Sequence, residues 1–382
     1  MPDAPIVIVG GGLAAGRAVA ELRDIGYDDE VVLFAEEPEV PYERPPLSKG
    51  YLQGQKSRES TYVQPAEWYA ENNVDLRLGE PVTRIDLEAL TVDSDRGATS
   101  FSRLLLATGA RPRKLDLAST DEIEVRYLRT LADSTALHER LGAGHHLLIL
   151  GGGWIGMEVA ATARTLGTRV TVVEPAELPL LAALGPEVAT RFADVHRAKG
   201  VDLRTRTRLG WLEGAIAVLS DDTRIEPDTV LVGIGAIPNV ELAVAAGLSV
   251  DNGVLVDSGL CTSHPAVLAA GDLANAAHPR LGLRIRVEHW QNAISQGRAA
   301  AHALLGEPVS YEDLPYFFSD QYDVGMEFFG YAEGAQHVQV EPGRSEDADS
   351  CWWFRNGGLV AAMHVNQWDR SDELRERVAH GG

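Results

Sequence analysis

Short apolar runs that end in glycine-rich turns set the rhythm of this chain. Ile6–Val9 is wholly apolar and leads into Gly10-Gly11-Gly12, after which a helix-like stretch runs from Leu13 to Ile25. A second apolar run follows at Val31–Ala35. Brief continuous apolar runs bounded by turn residues read as buried strands, whereas the 3.6-residue period reads as a helix. The same order returns over Leu147–Glu174: an apolar run, then Gly151-Gly152-Gly153, then a helical stretch from Trp154 to Leu166, then a further strand. Such strand–helix–strand alternation predicts an α/β fold with parallel sheets.

The remaining pattern predicts how these halves are joined. Asp75–Leu78, Val82–Asp86 and Leu90–Asp93 read as strands of an antiparallel excursion. The segment RLLLATGARP, Arg103–Pro112, carries an apolar strand into Thr108-Gly109 and then Pro112, where the chain can leave one domain. A similar strand, TVLVGIGAIPN over Thr229–Asn239, is where it crosses back. Re-entry brings VLAAGDLAN and an alanine-rich helix within Arg286–Gly306. From Tyr311 the aromatic residues cluster among alternating segments, which predicts a small antiparallel sheet with most of the aromatics in its core. A terminal helix is expected over Asp369–Val378. The predicted fold is α/β: two Rossmann-like dinucleotide-binding domains, one inserted in the other, plus a small C-terminal α+β domain. The expected boundaries are 1–111, 112–231, 232–309 and 310–382.

Both glycine turns match G-x-G-x-x-G/A, with Gly10, Gly12 and Ala15 in the first and Gly151, Gly153 and Gly156 in the second. The first glycine permits the tight turn, and the second lets backbone approach a pyrophosphate. The third position must be small so that helix and strand can touch, and the helix N-terminus supplies N–H donors. Each copy also has an acidic residue after its second strand: Glu36-Glu37, and Glu174, 23 residues past Gly151. A carboxylate there accepts hydrogen bonds from an adenosine ribose. Two dinucleotides on one chain imply electrons passing between them.

Composition narrows the chemistry. A net charge of −22 argues against nucleic acid and anionic membranes as partners. No apolar run approaches the roughly 18 residues of a membrane span, and no signal peptide precedes the first strand, so a cytoplasmic protein is expected. The only cysteines, Cys261 and Cys351, are far apart, so neither a redox dithiol nor a cysteine-ligated cluster is expected, and no metal site. There are four lysines, Lys49, Lys56, Lys114 and Lys199, which makes a lysine inside a motif informative. Lys49 and Arg44 lie in PYERPPLSKGYL, Pro41–Leu52, where three prolines predict a fixed, irregular and exposed path.

At this point the chain resembles the FAD-dependent ferredoxin reductases that serve bacterial oxygenases, the putidaredoxin, rhodocoxin and biphenyl-dioxygenase reductase type. The shared pieces are VIVGGGLAAG, RPPLSKGYL, LLLATGARP, YLRTL, GGGWIGMEVA, VGIGAIPN, AAGD, VEHWQNAISQG and FFSDQYD, in family order from residue 7 to about 324. RPPLSKGYL together with SDQYD narrows the resemblance to this family.

The resemblance implies FAD on the first fingerprint, with Ala14 and Ala15 at the pyrophosphate turn and Glu36 at the ribose. It implies Arg44 and Lys49 near the phosphates and flavin, Val82 at the adenine, and Arg129 on the flavin side. Asp272 falls at the ribityl or phosphate and Trp290 at the flavin edge. Ala107, Thr108, Gly109, Gly235, Gly271 and Glu288 also fall among the cofactor-binding positions. NADH is implied on the second fingerprint, with Ile155 and Glu158 near the nicotinamide and Glu174 at its ribose. Two departures stand out. Several relatives carry tryptophan beside the flavin where this chain has Phe318. They also often dock acidic ferredoxins through basic residues, whereas Ser310 to the end holds 14 acidic and five basic residues.

The implied activity is hydride transfer from NADH to FAD, then single electrons to a ferredoxin-type one-electron carrier, by a monomer or homodimer. Such transfer needs positioning and a tuned flavin more than acid–base chemistry. Lys49 is the candidate tuning charge, and Glu158 is its candidate partner from across the domain boundary; both count as catalytic. Two other readings remain open here: an NADH oxidase or quinone reductase, and an NADH-sensing flavoprotein without a dedicated carrier.

Overall fold

The computed structural model describes residues 4–116, 122–343 and 348–381. The chain divides into two compact units. The first takes the segments up to Arg44, from Arg58 to Arg111 and from Ile237 to Pro315; the second takes Pro45–Ser57, Pro112–Ala236 and Tyr316 onward.

The first unit is organised on a five-stranded sheet in the order Val267–Ala269, Arg103–Leu106, Ile6–Val9, Val31–Ala35, Val74–Leu78. Every pairing is parallel, with Ile8 opposite both Leu33 and Leu105. Ile6–Val9 and Val31–Ala35 are buried throughout, as strands covered on both faces must be. The strand at Val74–Leu78 was expected in the antiparallel excursion, but it forms the parallel edge of this sheet. Val74 reaches the core and Leu76 and Leu78 pack against it, while Asp75 and Arg77 alternate onto the other face. The excursion itself is Val82–Asp86, Thr91–Ser94 and Gly97–Ser100, all antiparallel. Two helices, Leu13–Asp24 and Trp290–Leu304, cross closely: a Cβ on Gly297 would lie 2.4 Å from the Ala14 carbonyl oxygen.

The second unit repeats the plan, with parallel strands in the order Asp202–Thr205, Arg169–Glu174, His146–Leu150, Thr229–Val232, Glu124–Arg126. The predicted strand Thr229–Asn239 is not continuous. It ends at Val232, the chain turns through Gly235 at φ +102°, and Ala236–Pro238 is a separate short strand. The C-terminal sheet is antiparallel, in the order Tyr316–Gln321, Val324–Gly330, Gly358–Val365, Asp349–Arg355, His337–Pro342. Phe328, Phe329, Trp352 and Trp353 are buried there. The terminal helix is Ser371–His380, two residues later than expected because Trp368–Arg370 forms a 3₁₀ turn.

The proline-rich loop departs most from expectation. Pro45–Ser57 belongs to the second unit, and Pro41–Leu52 is not the exposed path expected: Tyr42, Leu47, Ser48 and Leu52 are buried. Its own turns satisfy the Pro46, Lys49, Gly50 and Tyr51 carbonyls, and helix side chains satisfy three more. Ser134 Oγ donates to the Leu47 carbonyl at 2.8 Å, Thr162 Oγ1 to the Ser48 carbonyl at 2.8 Å, and His138 Nδ1 meets the Leu52 carbonyl at 2.7 Å. Lys49 and Glu158 therefore sit in one unit rather than across a boundary.

Candidate functional site

The first fingerprint is shaped by a close approach. Gly10 has φ +123°, and a Cβ there would stand 2.2 Å from the Ala107 carbonyl oxygen. Ala15 is fully buried beneath the turn. Gly12 is the reverse case, for a Cβ there would meet nothing within 4 Å. It caps the helix Leu13–Asp24, which has no side-chain cap and no acidic residue in its first turn. Unsatisfied N–H groups facing open space on a helix N-terminus fit an anionic pyrophosphate.

The acidic pair behind this turn divides its roles. Glu37 accepts from the Tyr42 hydroxyl at 2.6 Å and from Arg44 Nη2 at 3.0 Å. Glu36 is exposed, and no described residue engages its carboxylate, which leaves it open to hydroxyl donors. The backbone around Ala107, Thr108 and Gly109 is held by Asn239: Thr108 Oγ1 donates to its carbonyl at 2.9 Å, and its Nδ2 donates to the Thr108 carbonyl at 2.7 Å. Sequence reasoning missed Asn239, although it is the last residue of VGIGAIPN. Gly271, at φ +80°, brings the returning chain to 3.1 Å from the Ala14 methyl, measured from its ideal Cβ, and places Asp272 next along. Val82 lies half-buried against this unit's core, as does Trp290, the first residue of its helix. Glu288 is ion-paired with Arg286 at 2.5 Å. His289 caps the same helix, and burial pushes its imidazole down to about 4 against the opposing pull of Asp272.

The second fingerprint has the same anatomy. Gly151 has φ +106° with a Cβ position 2.3 Å from the Gly233 carbonyl oxygen, and a Cβ on Gly156 would strike the Gly151 carbonyl oxygen at 2.2 Å. Gly153 faces open space at the N-terminus of Trp154–Thr165, which again lacks a side-chain cap. Glu174 Oε2 accepts the Gly152 N–H at 2.6 Å, and Oε1 accepts the Ala176 N–H at 2.7 Å. Ile155 is 45% exposed beside this turn, an uncommon position for so apolar a side chain. Arg129 precedes the helix Leu131–His138 and donates its N–H to Asp133 at 3.0 Å.

Lys49 Nζ lies 2.7 Å from Glu158 Oε2. Glu158 is 4% exposed, and Ser48 Oγ and Ser319 Oγ also donate to it, at 2.5 and 2.7 Å. Three donors, one of them cationic, stabilise a carboxylate that would otherwise be costly to bury. The Lys49 ammonium also stands 5.5 Å from the Phe318 ring centroid. Ser48 and Ser319 lay inside quoted motifs, yet nothing in their spacing marked them as partners of Glu158. Cys351 is buried with its thiol pushed up to about 12, and desolvation raises Cys261 as well, so neither is a ready nucleophile.

Comparison with known proteins gives the same picture. Residues 4–297 match the pyridine nucleotide-disulphide oxidoreductase family and residues 316–381 match the reductase C-terminal family. The chain is 40% identical to the anthranilate 1,2-dioxygenase system ferredoxin–NAD(+) reductase component of Burkholderia cepacia over 99% of this chain and 94% of that protein. It is 38% identical to putidaredoxin reductase of Pseudomonas putida over 95% and 88% of the two chains. The reductase in a covalent putidaredoxin reductase–putidaredoxin complex superposes with a TM-score of 0.95 at 35% identity, over 99% and 94% of the chains. With both fingerprints built as described and the match spanning most of its length, this chain belongs to the pyridine nucleotide-disulphide oxidoreductase family.

Proposed function

We propose that this protein is an NADH-dependent flavoprotein reductase that moves a hydride from NADH to FAD and then single electrons to a ferredoxin-type iron–sulfur carrier serving an oxygenase. The observation that carries the reading is the repeated open glycine, Gly12 and Gly153, each at an uncapped helix N-terminus on a chain with no paired thiols. Two sites suited to pyrophosphate need two dinucleotides. Without a dithiol to receive electrons, an external acceptor must take them.

In this reading Gly10, Gly12, Ala14, Ala15, Glu36, Arg44, Val82, Thr108, Asp272 and Trp290 hold FAD. Glu36 serves the ribose because Glu37 is already committed to Tyr42 and Arg44. Gly151, Gly153, Gly156, Ile155 and Glu174 hold NADH, with the exposed Ile155 giving the nicotinamide an apolar seat. When bound, FAD supplies the two-electron to one-electron conversion. Lys49 holds a positive charge that favours reduction, and Glu158, with its hydroxyl donors, keeps that ammonium in place. Among the described residues no helix is long and apolar enough to cross a membrane. We place the protein in the cytoplasm as a monomer or homodimer.

Purified protein should be yellow, release FAD intact on denaturation, and bleach on anaerobic addition of NADH. Release of FMN alone, or flavin left on the polypeptide, would remove FAD from the first fingerprint.

A further inference from the structure

A line of buried polar side chains leads from the C-terminal sheet to Glu158. Ser319 Oγ donates to Glu158 Oε1 at 2.7 Å, and Gln321 Nε2 donates to Ser319 Oγ at 3.2 Å. Gln321 Oε1 lies 2.8 Å from His196 Nε2, and an amide oxygen can only accept, so the proton of that imidazole is on Nε2. His196 Nδ1 is then the acceptor facing the Tyr322 hydroxyl, at 3.4 Å. Every donor in the line points toward the Glu158 carboxylate. Gln321 and His196 are 0% exposed and Ser319 is 1% exposed.

This line is not a by-product of packing. Ser319 and Gln321 are two apart on the strand Tyr316–Gln321 and so share one face, where apolar residues would fill the space more simply. Burial depresses the His196 pKa and keeps the imidazole neutral, which preserves the single donor direction. Polar networks of this kind fix geometry when every member is satisfied.

We propose that Ser319, Gln321 and His196 are positioning residues for the Lys49–Glu158 pair: their aligned donors hold the Glu158 carboxylate in one orientation and so fix where the Lys49 ammonium stands. The inference rests on the reading of Lys49 as the charge that favours hydride transfer. The charged groups facing Glu158 are Lys49 and Asp320; the Asp320 carboxyl is itself pushed up by desolvation and by Glu158 and Glu327, with Lys49 opposing.

The test uses the holoenzyme and Ser319→Ala, with Ser319→Thr as the hydroxyl-retaining control and Gln321→Met as a second route should Ser319→Ala fail to fold. Two readouts are taken: the rate of flavin reduction by NADH, and the carbon-13 resonance of Lys49 in lysine-labelled protein, tractable with four lysines. Removing one hydrogen bond to the carboxylate should slow flavin reduction by roughly fivefold in Ser319→Ala, and Ser319→Thr should restore the rate. The Lys49 resonance should shift in Ser319→Ala and Gln321→Met and return in Ser319→Thr. A fall in rate that Ser319→Thr does not restore, or an unmoved Lys49 resonance, overturns the proposal. If the resonance moves while Lys49→Ala reduces flavin at the wild-type rate, the positioning stands and the catalytic reading of Lys49 fails instead.

Discussion

The Glu174 carboxylate holds the second fingerprint from behind, accepting the Gly152 N–H at 2.6 Å while its other oxygen accepts the Ala176 N–H. The carboxylate is thereby fixed beside the turn, where the proposed reading puts the NADH ribose, and it would repel a 2′-phosphate. No basic residue occurs in Pro175–Thr190, and Arg169 is at the opposite end of the strand. The structure adds one arginine that spacing could not reveal: Arg206 donates its N–H to the Ala176 carbonyl, and its guanidinium is taken by Glu177. NADH should be preferred over NADPH by at least about tenfold in kcat/KM, roughly 1.4 kcal/mol. Glu177→Ala should narrow that ratio by freeing Arg206. Equal efficiency of the two cofactors in side-by-side assays contradicts this account of Glu174.

The glycines of the first fingerprint should separate into two kinds. Gly10→Ala places a Cβ 2.2 Å from the Ala107 carbonyl oxygen at φ +123°, so it should cost roughly 2–4 kcal/mol in chemical denaturation. Gly12→Ala has room and an ordinary backbone conformation, so the FAD-free protein should unfold within about 0.5 kcal/mol of wild type. Its flavin content should nevertheless fall, because the methyl occupies the open space over the helix N-terminus. Full flavin content in Gly12→Ala would move the pyrophosphate elsewhere.

How much of this was legible beforehand differs by element. Both fingerprints were, because continuous apolar strands and obligatory glycines leave a local mark on the sequence. So was the position of Glu174 at the end of its strand, which strand length sets. The Val74–Leu78 strand was misread because alternation alone cannot distinguish an antiparallel strand from the parallel edge of a sheet. The loop Pro41–Leu52 was misread as exposed because its Leu47, Ser48 and Leu52 carbonyls are met by Ser134, Thr162 and His138, more than 80 residues away. Ser319 lies 161 positions from Glu158, and no spacing rule reaches that far.

Lys49 is 17% exposed along its side chain and neutralises a buried carboxylate, so its removal has two consequences. Lys49→Ala should slow flavin reduction by roughly tenfold or more. It should also destabilise the protein by about 3 kcal/mol, because it strands the Glu158 charge. Lys49→Met combined with Glu158→Gln should recover most of that stability without recovering the rate. Stopped-flow reduction at the wild-type rate in Lys49→Ala would remove this residue from the chemistry.

Stability should depend on pH through His289. Its folded pKa of about 4 lies below the ordinary 6.5, so the unfolded chain binds the extra proton first. Stability is therefore complete above about pH 6.5, lost as pH falls toward 4, and unaffected by this group below that. At pH 5.5 the loss from His289 is about 1.4 kcal/mol, and the depressed His196 and His146 act in the same direction. Denaturant titrations at pH 7.5 and 5.5 should show this slope, and His289→Gln should flatten it. An unchanged slope in that variant would assign the loss to other groups.

The most direct test of the whole account is an anaerobic titration with one equivalent of NADH followed by an oxidised ferredoxin-type carrier. The flavin should bleach on the first addition and recover on the second, with two carrier molecules reduced per NADH in single-electron steps. A flavin that NADH bleaches but only oxygen or a quinone reoxidises would contradict the carrier reading. A flavin that stays reduced against every acceptor would contradict the reductase itself.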